Sequence, residues 1–317
     1  MYQIRTDLAL ETQEKMQEDH VELKGVHHLK ERIDKNLTIS TVVIETENGA
    51  KTMGKPRGTY ITIEAGNMDA GDEDYHREIS VQLAKVIKRL AHIEKKELSV
   101  LVVGLGNREV TPDALGPRVV DNLFITRHII KEYGKYAFGE DKVNRISSIV
   151  PGVMAQTGME SVEIIKGVIE ETHPNLIVVV DALAARSTKR LNRTIQVTDT
   201  GINPGSGVGN HRHGINEKSL GVPVISIGVP TVVDAATIVN DTMFNLVTAL
   251  TQSEAFAKMG DSLEKLNDAE KYELIRELLS PNLNAMFVTP KDIDESIKRL
   301  SFTISEGLNL AFAGGCL

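Results

Sequence analysis

Two aspartates placed at the ends of apolar strands are the residues whose positions best suit chemistry. Asp113 lies in the loop that leaves the run LSVLVVG, and Asp181 directly follows the run LIVVV. Ligands of open parallel sheets bind outside the carboxyl ends of the strands, so we expect both side chains to face one crevice. Two neighbouring carboxylates tend to share a proton, and such a pair can activate water. The structural alternative is that Asp113 caps the helix beginning near Ala114 and that Asp181 only ends a strand.

The loop Gly104–Pro117, which carries Asp113, does not match the known nucleotide-binding loops. GLGN lacks the third glycine of a dinucleotide fingerprint, and the Gly-Lys-Ser/Thr of a P-loop is absent. We therefore expect its glycines to let the backbone turn sharply beside the acids. Ser206 does not lie in a G-x-S-x-G elbow, and Cys316 lies next to the C-terminus. Acid-assisted chemistry on water is thus the leading mechanism, with no cofactor.

A third glycine-rich stretch, residues 198–212, follows the strand TIQVT and is too polar for a regular element. Long loops in compact domains are often functional, so this stretch is expected to form a wall of the substrate site. Its Asn210 and His211 are candidate substrate contacts, and Asn107 is a candidate in the first loop. His211 and His213 have the spacing of a metal pair, although two nearby histidines can equally be solvated.

The elements around these loops predict an α/β fold. Apolar strands alternate with helices, which indicates a mostly parallel, twisted sheet flanked by helices. The segments LTISTVVIETE and KPRGTYITIEAG predict an additional antiparallel pair. The polar stretch Thr6–Lys35 predicts one or two surface helices, and the tail predicts helices at about Leu263–Leu279 and Pro290–Ser301. One domain with peripheral insertions is the preferred organisation.

Composition limits the environment and the partners of the chain. It has 317 residues, a net charge of −8 and one cysteine, which indicates a reducing compartment. It has no apolar run of membrane-spanning length, and its N-terminus lacks the apolar core of a signal peptide. We expect a cytoplasmic protein with no membrane partner. The acidic charge makes direct binding to nucleic acid unfavourable, but a basic protein could be a substrate.

Four long motifs resemble those of one known family. In chain order they are GLGNREVTPDALGPRVV, PGVMAQTGMES, VVVDALAARS and TIQVTDTGINPGSGVGNHR. They resemble the spore germination proteases of endospore-forming bacteria, over nearly the whole chain. The resemblance implies an endopeptidase that degrades small acid-soluble spore proteins during germination, in the cytoplasm of the forespore and spore core. It further implies a homotetramer, synthesised during sporulation as a zymogen, and an atypical aspartic protease whose two acids are Asp113 and Asp181.

The N-terminus fits the cleavage pattern that the resemblance implies. The family cuts after an acidic residue and before a large apolar residue followed by Ala, and Thr6-Asp7-Leu8-Ala9 has this pattern. We therefore expect self-processing between Asp7 and Leu8, with residues 1–7 as propeptide and residues 8–317 as the catalytic domain. Arg186, with the nearby Lys189 and Arg193, is a candidate for recognising the acidic side chain, although a solvated basic face is an alternative.

Two other functions remain open at this point. The glycine loop and the strand-end acids also resemble hydrogenase maturation endopeptidases, which implies a phosphorylase/hydrolase-like fold and a metal held at Asp113 and Asp181. A third ligand has no clear equivalent, although His211 or His213 could serve. The chain could also be a non-catalytic binding protein that has kept a protease fold.

Overall fold

A nine-stranded sheet forms the framework of the protein. The structure is a computed structural model that describes residues 6–66, 68, 72–91, 97–138, 143–205, 213–253, 270 and 286–313. The strands are β1 (Val26–Arg32), β2 (Leu37–Ile44), β3 (Gly58–Ala65), β4 (Ser99–Gly104), β5 (Arg145–Ile149), β6 (Leu176–Ala185), β7 (Thr194–Thr198), β8 (Val224–Asp234) and β9 (Phe287–Val288). The helices are α1 (Ala9–Glu18), α2 (Glu47–Met53), α3 (Glu73–Leu90), α4 (Leu115–Asp121), α5 (Arg127–Tyr133), α6 (Met154–Thr157), α7 (Ser161–Thr172), α8 (Glu217–Leu220), α9 (Ala235–Thr251) and α10 (Ile293–Phe312).

The sheet has a parallel centre and antiparallel edges. Its order is β1-β2-β3-β7-β8-β6-β4-β5, and β9 pairs with β8. The neighbours β8, β6, β4 and β5 run parallel, whereas β7, β3, β2 and β1 are added antiparallel. Strand β4 after Ser99 and residues 176–180 of β6 are apolar because both faces of the central sheet are covered. This confirms the predicted α/β class and the predicted antiparallel pair β2–β3.

Different helices cover the two faces of the sheet. On one face, α4 packs on β4 and β6, where even-numbered residues such as Val102 and Val178 join the core, whereas α3 lies over β3 and β7 and α10 packs against α3 and α4. On the other face, α7 packs on the odd-numbered residues, such as Val103 and Val179. Helix α1 covers the antiparallel part of that second face, where its Leu10 joins side chains of β2 and β3. Asp181 is odd-numbered and therefore lies on the face shared by α7 and α1.

The prediction of surface helices over Thr6–Lys35 is wrong in two respects. Helix α1 is docked, with Ala9, Leu10, Glu11 and Gln13 all buried. The second half of the stretch is the edge strand β1, whose sequence VHHLKER is almost wholly exposed. An edge strand with no buried face lacks the apolar–polar alternation that identifies a strand, so its sequence resembles a solvated helix.

The tail differs from its prediction as well. The predicted helix Leu263–Leu279 lies outside the described residues. The second predicted helix is α10, which extends eleven residues beyond Ser301 to Phe312 and buries Ile297, Leu300 and Ile304 against the sheet. Among the described residues, no helix has both the length and the apolar character needed to cross a membrane.

Candidate active site

The loop after β4 folds back on itself so that Asp113 lies beside the strand end. Gly106 has φ +114°, and a Cβ atom on it would lie 1.9 Å from the Asp113 carbonyl oxygen. The backbone N–H of Asn107 donates to Asp113 Oδ2 at 2.8 Å. Asp113 ends a 3-10 turn, Thr111–Asp113, rather than capping α4, whose N-cap is Ala114. The expected sharp turn at the glycines is therefore present, and it holds the carboxylate.

A second pair of glycines brings this loop close to β6. A Cβ atom on Gly104 would lie 2.3 Å from the Gly116 carbonyl oxygen, and one on Gly116 would lie 2.5 Å from the Val180 carbonyl oxygen. The backbones of β4, β6 and α4 thus meet without side chains between them. Because Val180 directly precedes Asp181, this contact brings the start of α4 next to the second acid.

Asp181 lies within β6 and not after it. The strand continues to Ala185 because β6 still pairs with β8 beyond the end of β4. The Asp181 side chain is only 6% exposed, and its Oδ1 accepts the N–H of Ala182 at 2.9 Å. The apolar run in the sequence therefore ended before the strand did.

Asp113 and Asp181 line the same cleft, which has a volume of about 390 Å³. The rest of its wall comes from the loop after β4, from the end of β6, from residues 202–205 and from β8 and β9. Leu105, Val153 and Phe287 are apolar members of this wall. The two predicted acids thus converge on one crevice, with a predominantly apolar lining around them.

The N-terminal segment enters this cleft. Asp7 is one of the lining residues. Its N–H donates to the Ala184 carbonyl oxygen at 3.0 Å, and its Oδ2 accepts the Ala184 N–H at 2.9 Å. Leu8 is fully buried among apolar side chains of β6 and β8, including Leu183 and Val233. The predicted cleavage pair therefore lies against the part of β6 that follows Asp181.

The other predicted contact residues are distributed over several places. The Asn107 side chain accepts hydrogen bonds from Gln156 Nε2 and the Glu109 N–H, both at 3.1 Å. Arg186 lines a second cleft, of about 490 Å³, together with Lys189 and Arg193. Asn210 and His211 lie outside the described residues. His213 Nδ1 is 2.7 Å from Glu160 Oε2. Within the described part of the chain, no group of three or more His, Cys, Asp or Glu side chains could hold a metal ion.

Sequence reasoning missed two sets of residues that hold the N-terminal segment, and the first set is Lys55 and Gln196. Lys55 Nζ donates to the Asp7 carbonyl oxygen at 3.0 Å, and Gln196 Nε2 donates to the same oxygen at 3.1 Å. Burial lowers the pKa of the Lys55 ammonium, although the charges of Asp7 and Glu11 oppose this effect. Gln196 could have been noticed as a polar residue in the centre of the strand TIQVT, whose residues are otherwise apolar or threonine.

The second missed set is an ion cluster around Arg190 in the second cleft. Its guanidinium donates to both carboxylate oxygens of Glu14 at 2.8 Å and to Glu64 Oε1 at 3.1 and 3.2 Å. Glu11 Oε1 lies 3.6 Å away. Because Glu11 and Glu14 belong to α1, this cluster fastens the helix to the sheet.

Comparisons with known proteins agree with the resemblance seen in the motifs. The family model described as germination protease matches residues 4–255 and 250–315. A germination protease of Caldanaerobacter subterraneus subsp. tengcongensis is 50% identical over 316 residues, covering 98% of this chain and 95% of that protein. One from Clostridium perfringens is 44% identical over 313 residues, with 98% and 95% covered.

One further germination protease and one solved structure are also similar to this chain, to different degrees. A germination protease of Bacillus cytotoxicus is 40% identical over 346 residues, covering 98% of this chain and 94% of that protein. A crystal structure of the [NiFe] hydrogenase maturation protease HycI from Thermococcus kodakarensis is 17% identical, with a TM-score of 0.33 over 70% of this chain and 99% of the other. On the full-length sequence matches, the chain belongs to the germination protease family and is a peptidase that acts in germination.

Proposed function

We propose that this chain is an endopeptidase of the atypical aspartic type, in which Asp113 and Asp181 activate water. The observation that carries the proposal is that both acids line one cleft together with Asp7 of the same chain. A cleft that already contains a backbone segment with the expected cleavage pattern is suited to a peptide substrate. The largely apolar wall excludes bulk water and strengthens the electrostatic effect of the acids.

The mechanism follows from sharing one proton between two carboxylates. The ionised carboxylate takes a proton from a water molecule as its oxygen attacks the scissile carbonyl carbon. The protonated carboxylic acid donates to the carbonyl oxygen. The carboxyl group that took the proton from water then passes it to the amide nitrogen as the C–N bond breaks, and a hydroxyl proton of the intermediate returns to the other carboxylate as the new carboxyl group forms. We assign these roles to the pair jointly, because coupled acids titrate together.

The same chemistry accounts for a zymogen. Hydrolysis between Asp7 and Leu8 would release residues 1–7 as a propeptide and leave residues 8–317 as a single catalytic domain. The contacts of Asp7 and Leu8 with β6 support this, since they hold the relevant peptide in the cleft before any cleavage has occurred.

The biological setting proposed here rests on family membership. The substrates would be small acid-soluble spore proteins, degraded in the cytoplasm of the spore core. The active species would be a homotetramer synthesised as a zymogen in the forespore. A basic, DNA-coating substrate would be attracted by a chain of net charge −8.

The decisive experiment follows the mass of the purified full-length protein with time. The starting protein should lose seven N-terminal residues, whereas Asp113→Asn and Asp181→Asn should keep their full mass and leave a substrate protein uncut. Asp74→Asn, which neutralises an exposed acid at the start of α3, is the matched control and should process normally. Normal processing by either active-site variant would refute the acid pair.

Repeating the experiment with a chelator distinguishes this proposal from a metal-dependent peptidase. The acid pair alone predicts unchanged processing in the presence of a strong chelator. Activity that disappears with the chelator and returns with one metal ion would favour a metal held by Asp113 and Asp181. A starting protein that neither processes itself nor cuts a substrate would favour a binding function on this fold.

A further inference from the structure

The amide of Gln196 spans the peptide bond at which cleavage is expected. Its Nε2 donates to the carbonyl oxygen of Asp7, at 3.1 Å, and its Oε1 accepts the N–H of Ala9, at 2.7 Å. Lys55 Nζ donates to the same Asp7 oxygen at 3.0 Å. Three hydrogen bonds therefore fix the main chain on both sides of the Asp7–Leu8 bond.

The register of the sheet places Gln196 in one row with the second acid. Gly228 of β8 pairs with Gln196 on one side and with Asp181 on the other. Residues directly opposite each other on neighbouring strands point to the same face, so Gln196 and Asp181 share a face about 10 Å apart across two strand spacings. Gly228 has no side chain, and Leu183 occupies the space above it. The held peptide thus lies over the same surface as Asp181.

The row continues away from Asp181 as a polar floor beneath α1. Thr62 pairs with Gln196, and Ser40 pairs with Thr62. Both hydroxyls are fully buried and have no hydrogen-bond partner among the residues that the structure describes, and the same is true of Oε1 of Gln13 on α1. Unpaired buried polar groups weaken a permanent interface. The polar surface formed by Ser40, Thr62 and Gln196 is instead suited to binding one peptide and then exchanging it for another.

Hydrolysis itself would loosen the resident segment. The Leu8 N–H donates to Thr6 Oγ1 at 3.1 Å, and Leu8 is completely buried. Cleavage converts this N–H to an ammonium group and removes Thr6 with the propeptide, residues 1–7. Burying an unpaired charge is costly, so the first turn of α1 should withdraw and leave the row accessible.

We propose that Gln196 and Lys55 form a main-chain clamp that holds the scissile peptide, first that of the leader and afterwards that of a protein substrate. The clamp itself binds only the main chain, and the sites around it select the side chains on either side of the scissile bond. An acidic residue binds the Ala184 N–H, a large apolar residue fills the Leu8 pocket, and a small residue fits at Ala9, which is completely buried. This inference rests on the proposed peptidase activity.

The first test is the rate of self-processing, measured by intact mass. Gln196→Met and Lys55→Met keep much of the side-chain volume but remove the hydrogen bonds. Each should slow processing about tenfold, the factor that a hydrogen bond of ordinary net strength can supply. Gln82→Met and Lys51→Met make the same chemical changes on α3 and α2, outside the cleft, and should process at the normal rate.

The second test distinguishes direct contact from a structural role. Each protein is held until processing is complete and is then given the blocked peptide Thr-Asp-Leu-Ala-Leu-Glu or its ester analogue, in which an oxygen replaces the Ala N–H. The ester should raise KM about tenfold for the starting protein, because it removes the group that Gln196 accepts. For Gln196→Met it should change KM less than about twofold, since that contact is already lost.

Each outcome has a separate meaning. If the starting protein neither processes itself nor cuts the peptide, the proposed peptidase function fails. If it does both, but the clamp variants process as fast as their controls, the clamp is wrong. The clamp would also be overturned if the ester raised KM by the same factor in Gln196→Met and in the starting protein. A residue with a purely structural role does not contact the substrate N–H, so its substitution would not change the effect of removing that N–H.

Discussion

The turn at Gly106 allows a direct test of how accurately Asp113 must be placed. Substitution by Ala adds a Cβ atom 1.9 Å from the Asp113 carbonyl oxygen and 3.1 Å from Asp113 Oδ1. Real Cβ contacts with a backbone oxygen do not fall below 3.0 Å, so the two backbones must separate by at least about 1 Å. Ala is also disfavoured at φ +114°.

The magnitude follows from the displacement. A shift of about 1 Å in a catalytic group can cost about 100-fold in rate, because the acid no longer meets the attacking water at the required distance. The N–H of Asn107 would also lose its alignment with Asp113 Oδ2. We expect Gly106→Ala to slow both self-processing and peptide cleavage about 100-fold, and to lower the free energy of unfolding by about 1–3 kcal/mol through backbone strain.

Gly134→Ala is the matched control. Gly134 also has a positive φ, +76°, but a Cβ atom on it meets nothing within 4 Å. In chemical denaturation, Gly134→Ala should show a comparable decrease in the free energy of unfolding, but its rates of self-processing and peptide cleavage should not change. If Gly106→Ala cleaves at the normal rate, or if both variants lose rate in proportion to their loss of stability, then the placement of Asp113 by this loop is not what limits catalysis.

Two further predictions concern stability. Burial raises the pKa of Tyr60 to about 12, so its contribution to the free energy of unfolding is complete below pH 10, the unfolded value, and is lost as pH rises towards 12. The loss approaches about 2.7 kcal/mol, at about 1.4 kcal/mol per pKa unit. Denaturation at pH 8 and pH 11 should therefore show a smaller decrease in the free energy of unfolding for Tyr60→Phe than for the unsubstituted protein. Arg190→Met should destabilise the docking of α1 by about 1–3 kcal/mol, because the part-buried Glu64 and the paired Glu14 lose their cation. Hydrogen exchange in α1 should report this change. The control is Arg145→Met, which alters an exposed arginine on β5 at the opposite edge of the sheet.

The sequence predicted the central elements because their signals are strong and local. Strand β4 after Ser99 and the first five residues of β6 are continuous apolar runs, and short runs of this kind are typical of strands that are buried on both faces of a sheet. The edge strand β1 was missed for the opposite reason, since its exposed side chains leave no pattern. Likewise, the docking of α1 depends on Arg190 and Glu64, which are distant in the sequence, and helical periodicity does not reveal such partners.

For the site, sequence order located the acids but not the residues that hold a peptide. Asp113 and Asp181 follow from the rule on strand ends, and the structure brings them to one cleft. Gln196 and Lys55 could not be inferred in the same way, because their role depends on the register between β7 and β8 and on a backbone contact more than 40 residues away along the chain. Arg186 was a candidate by charge, but it lines the second cleft.

The anchoring of Glu11 explains why one particular bond would be presented to the acids. Its carboxylate accepts the N–H groups of Arg186 and Ser187, at 2.7 and 3.0 Å, and lies 3.6 Å from Arg190. These contacts fix α1 lengthwise at a point four residues after Asp7. A peptide held only by apolar pockets could slip by a residue, whereas a buried carboxylate has one energetically acceptable position. In the proposed cleavage, the charge of Glu11 on one side of the Asp7–Leu8 bond would set the register, and the hydrogen bonds of the Gln196 amide across that bond would hold it.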